Sequence, residues 1–356
     1  MIELTEKQRL IVETTEPRVV VVASAAAGKT RCITERVRWL LEHNVEPEKI
    51  VAITFTNAAA EEISERLGCP SGVFIGTIHS LANTFLRMGG VDTSQILNEE
   101  KFDELFACIK KNPHCIQKIE HLIVDEAQDS NPEQFEFLLD MIMPDNFMLM
   151  GDHRQSIYRW NGAEPDYILN LMEDPEVQVY ELNENFRNAP EILSYAKNLI
   201  KPAGSEYKDY SIPMRDIRGA VIDVEYSGTG IAKTIKKRVD ANQDKYRDWF
   251  ILTRSNAQSE DMIRHLKKIG IPCDTFKKSN LDNKGLNEKM KEDTVKVLTI
   301  HTAKGLEAKN VVVIGTHFKD VEERCIAYVA ATRARDLLVW TRSPNRRKPS
   351  ATMWST

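Results

Sequence analysis

The small side chains of Ala23, Ser24, Ala25, Ala26 and Ala27 lead directly into Gly28, Lys29 and Thr30. Small residues let backbone N–H groups approach an anion closely, and Gly28 supplies the tightest bend. Lys29 has the reach and charge for the β- and γ-phosphates of a nucleoside triphosphate, and the Thr30 hydroxyl is a hard-oxygen ligand for Mg²⁺. The alternative is a plain helix cap on a turn of small residues. Farther along, Asp125 and Glu126 follow the apolar run Leu122-Ile123-Val124. Adjacent carboxylates behind a buried strand are costly unless they face a cation. Asp125 therefore reads as the holder of Mg²⁺, through water, and Glu126 as the group that orients and deprotonates an attacking water. An exposed helix start, with Asp125 as its cap, is the competing reading. A third strand end, Met150-Gly151-Asp152-His153-Arg154-Gln155, offers an amide that accepts from a lytic water and donates to a γ-phosphate. Just beyond it, Tyr158 and Trp160 are large aromatics in a polar loop, suited to stacking on unpaired bases or to packing between lobes.

These residues need rigid elements beneath them. Val19, Val20, Val21 and Val22 read as a strand buried on both faces, and Ile33, Val37, Leu40 and Leu41 form the apolar stripe of the helix after Thr30. Strand patterns recur at 19–23, 50–55, 122–124, 147–150 and 177–182, and again at 220–225, 249–252, 295–299, 311–315 and 337–341. Helical patterns fall between them at 58–67, 133–143, 189–200, 231–242, 259–269 and 322–335. Such alternation predicts α/β architecture, with two parallel sheets each flanked by helices and ligands held at the carboxyl ends of strands. The motifs divide into two sets near Glu181, giving an N-terminal domain over 1–181, a C-terminal domain over 182–341 and a basic tail over 342–356. The polar helical stretch 85–118 and the Lys-, Asn- and Asp-rich stretch 274–294 read as lying outside the cores, the second as an exposed loop or arm.

At 356 residues, with 42% hydrophobic and 28% charged residues, the composition suits two globular domains. No apolar run approaches the roughly 18 residues of a membrane span, and the start of the chain carries no secretion signal, so a cytoplasmic protein is expected. The six cysteines form no C-x-x-C pair, which argues against a zinc ribbon or a disulfide framework. A net charge of −5 rules out a uniformly basic protein but leaves room for a locally positive nucleic-acid channel.

Taken in order, Gln8, the 23–30 loop, Thr54-Phe55-Thr56-Asn57, Gly76-Thr77-Ile78-His79-Ser80, the 124–129 acidic motif and Gly151 to Tyr158 resemble the motor motifs of the UvrD/Rep family of superfamily 1 DNA helicases. The second half continues the series with Asn183-Glu184-Asn185-Phe186-Arg187, Thr299-Ile300-His301-Thr302-Ala303-Lys304-Gly305-Leu306-Glu307 and Tyr328-Val329-Ala330-Ala331-Thr332-Arg333. The resemblance implies two tandem RecA-like domains with ATP and Mg²⁺ in the cleft between them. It places the nucleotide against Gln8, the loop from Ala23 to Thr30 with Arg31 after it, Phe186, Arg187, Glu307 and Arg333. Gln8 would bond the adenine edge and Phe186 would stack on its face. Arg187 and Arg333 would act as arginine fingers, and Glu307 would lie near the ribose. Phe55, Thr56, Asn57, Thr77, His79, Tyr158, Trp160, His301 and Thr302 fall where the family contacts single-stranded DNA.

The implied activity is an ATP-dependent 3′–5′ DNA helicase or translocase, a monomer, with repair or replication as its setting. Departures are informative. Ala26 replaces the usual inner glycine of the loop, Ala308 stands where an aromatic is frequent, and Asn161 where Arg is. The stretches between Ser80 and Ile123 and between Gly270 and Val295 are short where relatives carry the bulk of two accessory subdomains. A translocase without autonomous unwinding, helped at duplex junctions by a protein partner, is therefore an alternative. A non-hydrolysing, ATP-gated strand-binding module is another.

Overall fold

The computed structural model describes residues 3–276, 283–315 and 318–342. Within them the chain forms two compact units, residues 3–186 with Asp209–Ile212 and 283–287, and Arg187–Lys208 with 213–276, 288–315 and 318–342. The sequence pattern suggested a division near residue 181; the change of unit falls between Phe186 and Arg187.

The first unit is built on six strands: β1 (Arg18–Ala23), β2 (Ile50–Ile53), β3 (Phe74–Gly76), β4 (His121–Val124), β5 (Asn146–Gly151) and β6 (Gln178–Leu182). They lie side by side in the order β3-β2-β4-β5-β1-β6, all parallel. Because side chains alternate along a strand, one consecutive apolar run feeds two cores. Val19, Val21, Ile50, Ala52, Ile123, Met148 and Met150 pack with α1 (Glu6–Glu13) and α2 (Lys29–Glu42). Val20, Val51, Ile53, Leu122, Val124 and Leu149 belong to the other core, with the helices Ile78–Met88 and Glu104–Lys111. This order sets β5 between β1 and β4, so the loops after three adjacent strands carry Lys29, Gln155 and the Asp125–Glu126 pair.

The 85–118 stretch is helical as expected, but it is not outside the core. Phe85, Leu86, Leu105, Phe106, Ile109 and Cys115 are buried in it. The polar residues between them face outward and masked the apolar period. The helix expected over 133–143 is an α-helical turn, Pro132–Phe135, that continues as a π-helix over Glu136–Met141.

Two short extended pieces follow the first sheet, β7 (Glu184–Asn185) and β8 (Ile212–Pro213). The second unit then repeats the plan with β9 (Ala220–Glu225), β10 (Trp249–Thr253), β11 (Cys273–Asp274), β12 (Val295–Thr299), β13 (Ala308–Ile314) and β14 (Ala334–Arg342). Their order is β11-β12-β10-β13-β14-β9, again all parallel. Two tandem α/β domains of the expected RecA-like kind result. The helix expected over 322–335 stops at Ala331, and Ala334 already pairs with Ala308 on β13. Sheet pairing overrides the helical propensity of this Ala-rich run. The expected loop at 274–294 contains the helix Asn283–Lys291, and Asp274 pairs with Lys296 in the sheet. Residues 277–282 of that stretch, and the basic cluster at 346–348, lie outside the described residues.

Candidate functional site

Between β1 and α2 the backbone turns through Ala26 at φ 60° and Gly28 at φ 87°. The carbonyls of this loop are tied from outside: Asn185 Nδ2 donates to Ala25 O at 3.0 Å, Phe186 N to Ala26 O at 3.3 Å and Gln8 Nε2 to Ala27 O at 3.2 Å. Ser24 N and Ala27 N are bonded within the fold, to Leu182 O at 2.9 Å and Ser24 O at 3.2 Å, and the small residues Ala25, Ala26 and Gly28 let the rest of the loop backbone approach an anion, which is the requirement of a phosphate cradle. Gly28 is needed twice, for its left-handed backbone and because a Cβ there would come within 2.8 Å of Gln8 Nε2. The expected adenine reader Gln8 is buried in a capping box with Thr5, accepting from Thr5 N at 3.1 Å while pinning Ala27. Arg31 lines a groove of about 600 Å³ beside the cradle with Leu4, Arg9, Thr34 and Arg38.

Lys29 Nζ lies 3.3 Å from Glu126 Oε1. Burial by itself would pull the Lys29 ammonium down, but the carboxylates of Glu126, Asp125 and Asp152 outweigh it and hold its pKa above the ordinary lysine value. Glu126 itself sits at φ 51°, and its other oxygen accepts from Gln128 Nε2 at 2.6 Å. Asp125 is anchored by its own N–H on Ile53 O at 2.8 Å and accepts from Glu126 N at 2.9 Å. A Thr30 hydroxyl and an Asp125 carboxylate are oxygen donors of the kind Mg²⁺ takes, beside a cradle shaped for the phosphates it accompanies.

Gln128 was not singled out by the sequence. Fully buried, it joins the acidic pair to β5, because its Oε1 accepts from Asp152 N at 3.0 Å. Asp152 in turn accepts from Gln155 Nε2 at 2.7 Å and from Arg154 Nε at 2.6 Å. Burial would raise the Asp152 carboxyl, yet the charges of Arg154 and His153 and these hydrogen bonds hold it below the ordinary value. Gln155 is thus oriented by a carboxylate rather than left to rotate. Asp152 and Arg154 have no role in the sequence reading, and the packing reveals one.

The loop after Gln155 carries the aromatics. Tyr158 stacks on Phe55 with ring centroids 5.2 Å apart, and Trp160, 70% exposed, meets the edge of Tyr158 at 6.3 Å. Burial, then the charges of Asp129 and Glu126, push the Tyr158 phenol up, so this strip lies within electrostatic reach of the acid. The hydroxyls of Thr56 and Thr77 cap helices, accepting from Ala59 N at 3.2 Å and Ser80 N at 3.3 Å. Asn57 opens the first of these helices and is exposed. The His79 ring rests 5.1 Å from that of Phe106 and pairs with Asp103 at 3.3 Å.

In the second unit Arg187 Nε donates to Glu307 Oε2 at 2.5 Å and Arg335 Nη1 to Glu307 Oε1 at 3.2 Å. Arg333, 2% exposed, donates to Val329 O at 3.0 Å and to Thr332 Oγ1 at 3.1 Å. Two supports went unnoticed in the sequence: Asn188, donating to Thr332 O at 3.1 Å, and Arg215, donating to Arg187 O at 2.6 Å. Thr302 lies in the turn capped by Thr299, with His301 beside it half-buried.

Comparison with known proteins matches both domains to one family. Residues 4–112 and 102–176 match the UvrD/REP helicase N-terminal domain, and residues 180–281 and 275–344 match the UvrD-like helicase C-terminal domain. The chain is 28% identical to the ATP-dependent DNA helicase Rep of Buchnera aphidicola, over 78% of this chain and 58% of the relative. It is 24% identical to DNA helicase II of Escherichia coli, over 95% and 60%, and 26% identical to the ATP-dependent DNA helicase PcrA of Bacillus subtilis, over 75% and 49%. The chain therefore spans about half to three fifths of the length of these relatives. With the N-terminal and C-terminal domain models matched in turn from residue 4 to residue 344, the chain belongs to the UvrD/REP helicase family.

Proposed function

We propose that the protein is an ATP-driven motor that moves 3′ to 5′ along single-stranded DNA. The polarity is that implied by the resemblance, and one observation carries the coupling: a single loop, Gln155 to Trp160, holds an amide fixed by Asp152 at one end and the stacked aromatics at the other. A change at the phosphate is thereby a change at the bases. Lys29 leaves Glu126 for the β- and γ-phosphates, which frees Glu126 Oε1 to take the proton of the attacking water. Thr30 and, through water, Asp125 would hold Mg²⁺, which would supply charge neutralisation on the phosphate oxygens. Arg187 and Arg333 add positive charge to the transferring phosphoryl group, a task for which the planar guanidinium is suited. Phe55, Tyr158 and Trp160 stack on bases, while Thr56, Asn57, Thr77, His79, His301 and Thr302 follow the backbone of the strand without reading sequence.

The short stretches between Ser80 and Ile123 and between Gly270 and Val295 favour a second reading, translocation without autonomous unwinding. Phosphate release with and without single-stranded DNA tests the motor, since absence of DNA-stimulated turnover would leave only an ATP-gated binding module. Equal stimulation by RNA would remove the preference for DNA. Strand displacement from 3′-tailed and 5′-tailed duplexes then separates the two motor readings, and unwinding from the 5′ tail alone would reverse the polarity.

A further inference from the structure

The buried charges of the first unit include one arginine that the hydrolysis scheme above does not use. Arg154 is 3% exposed, and its guanidinium reaches three separate pieces of chain. Nε donates to Asp152 Oδ1 at 2.6 Å, Nη2 to Ser24 Oγ in the cradle at 3.2 Å, and Nη1 to Asp209 Oδ1 at 3.2 Å. Asp209 also accepts from Ser211 N at 2.8 Å, and Ile212 N donates to Asn183 O at 2.7 Å, so this short segment is fastened at both ends. It belongs to the first unit although the residues before and after it in sequence belong to the second. A planar fork with five donors can hold three acceptors in fixed directions, whereas an ammonium on a flexible stem cannot.

We infer that Arg154 is a positioning residue for hydrolysis, setting the distance between the cradle at Ser24 and the sensor Gln155, with Asp209 as its anchor. The route is explicit. Arg154 fixes the plane of the Asp152 carboxylate, whose second oxygen holds Gln155 Nε2 at 2.7 Å. Asp152 N–H is bonded to Gln128, which holds Glu126, so the sensor and the acid share one support.

This inference rests on the ATPase reading, and its test keeps the two apart. The whole chain is assayed for DNA-stimulated hydrolysis; an inactive wild type would sink the motor reading. In an active background, Arg154→Lys should lower kcat by roughly ten- to a hundredfold while KM for ATP stays within about threefold. A merely structural role would not produce the accompanying epistasis: Arg154→Lys combined with Gln155→Ala should be no slower than Gln155→Ala alone. Asp209→Asn keeps the Arg154–Asp152 pair and loosens only the anchor, so it serves should Arg154→Lys fail to fold. It should lower kcat by about threefold, again without adding to Gln155→Ala. A folded Arg154→Lys variant with wild-type kcat, or losses that multiply in the double variants, would overturn the assignment.

Discussion

The ammonium of Lys29 and the carboxylate of Glu126 stand 3.3 Å apart, so the two groups proposed to act on phosphate and on water pair with each other. The carboxylate helps to keep the Lys29 ammonium charged in spite of its burial. Glu126→Gln removes the nearest negative charge from Lys29 and lets burial lower its pKa, while leaving Asp125 and the cradle in place. Loss of a general base costs roughly 10²–10⁴ in rate. We expect kcat to fall by that factor and binding of a fluorescent ATP analogue at neutral pH to be no weaker. A loss under about fivefold would take Glu126 out of the base role.

Gly151 tests the support behind that acid. A Cβ at Gly151 would lie 2.4 Å from Gln128 Oε1 and 3.3 Å from Gln128 N. Gln128 is buried and bonded to both Glu126 and Asp152, so its amide has no room to retreat without losing them. Gly151→Ala should therefore lower kcat by at least roughly tenfold, with a stability loss of about 1–3 kcal/mol from overpacking. Chemical denaturation and steady-state hydrolysis measure the two effects separately. An active, equally stable variant would mean that the amide is free to move.

What the sequence disclosed and what it hid differ in kind. Val19 to Val22, Gly28-Lys29-Thr30 and Asp125-Glu126 were legible because a buried parallel strand and a phosphate loop each demand particular residue types at fixed spacing. The first sheet and the convergence of Lys29 with the acidic pair follow from them, and the second sheet from the apolar runs at 249–252, 295–299, 311–315 and 337–341. Arg154, Asp209 and Gln128 were not legible, since a buried charge or amide is defined by partners distant in sequence. The helices at 85–118 were misjudged for a related reason: a few deeply buried residues suffice to dock a helix whose remaining faces are polar.

Ala26 is a departure that the backbone makes measurable. It sits at φ 60°, in the left-handed region that favours glycine. A Cβ there costs about 1–2 kcal/mol, of which glycine's extra conformational entropy returns roughly 0.5–1 kcal/mol. Ala26→Gly should stabilise the first unit by up to about 1 kcal/mol, a rise in melting temperature of roughly 2–4 °C. No change in melting temperature would mean that the loop relaxes its strain elsewhere.

Phe55 and Trp160 are 45% and 70% exposed at either side of Tyr158, so they can be removed with little loss of packing. Stacking on a base is worth about 1–3 kcal/mol by alanine substitution. Phe55→Ala and Trp160→Ala should each weaken binding of a labelled single-stranded oligonucleotide by that amount, read by fluorescence anisotropy, with stability changed by no more than about 0.5 kcal/mol. Unchanged affinity in both would disqualify the strip as the DNA track.

The pairing of Arg187 with Glu307 makes a prediction in pH. Burial would raise the Glu307 carboxyl, but the charge and hydrogen bond of Arg187, and then the charges of Arg335 and Arg333, hold it below its ordinary 4.5. A depressed folded pKa means the unfolded chain binds the proton more readily. The contribution of this pair to stability is therefore fully present above about pH 4.5 and is lost as pH falls through the lower, folded value. Arg187→Met removes the largest of the opposing charges, so the Glu307 midpoint, followed by its side-chain carbon shift in NMR, should move upward toward 4.5. In parallel, the melting-temperature gap between wild type and variant should narrow on acidification below that pH. A midpoint unmoved by the substitution would show that Arg335 and Arg333 suffice to hold the carboxylate. Arg187 would then be bound to Glu307 at no cost in releasing it to a phosphate.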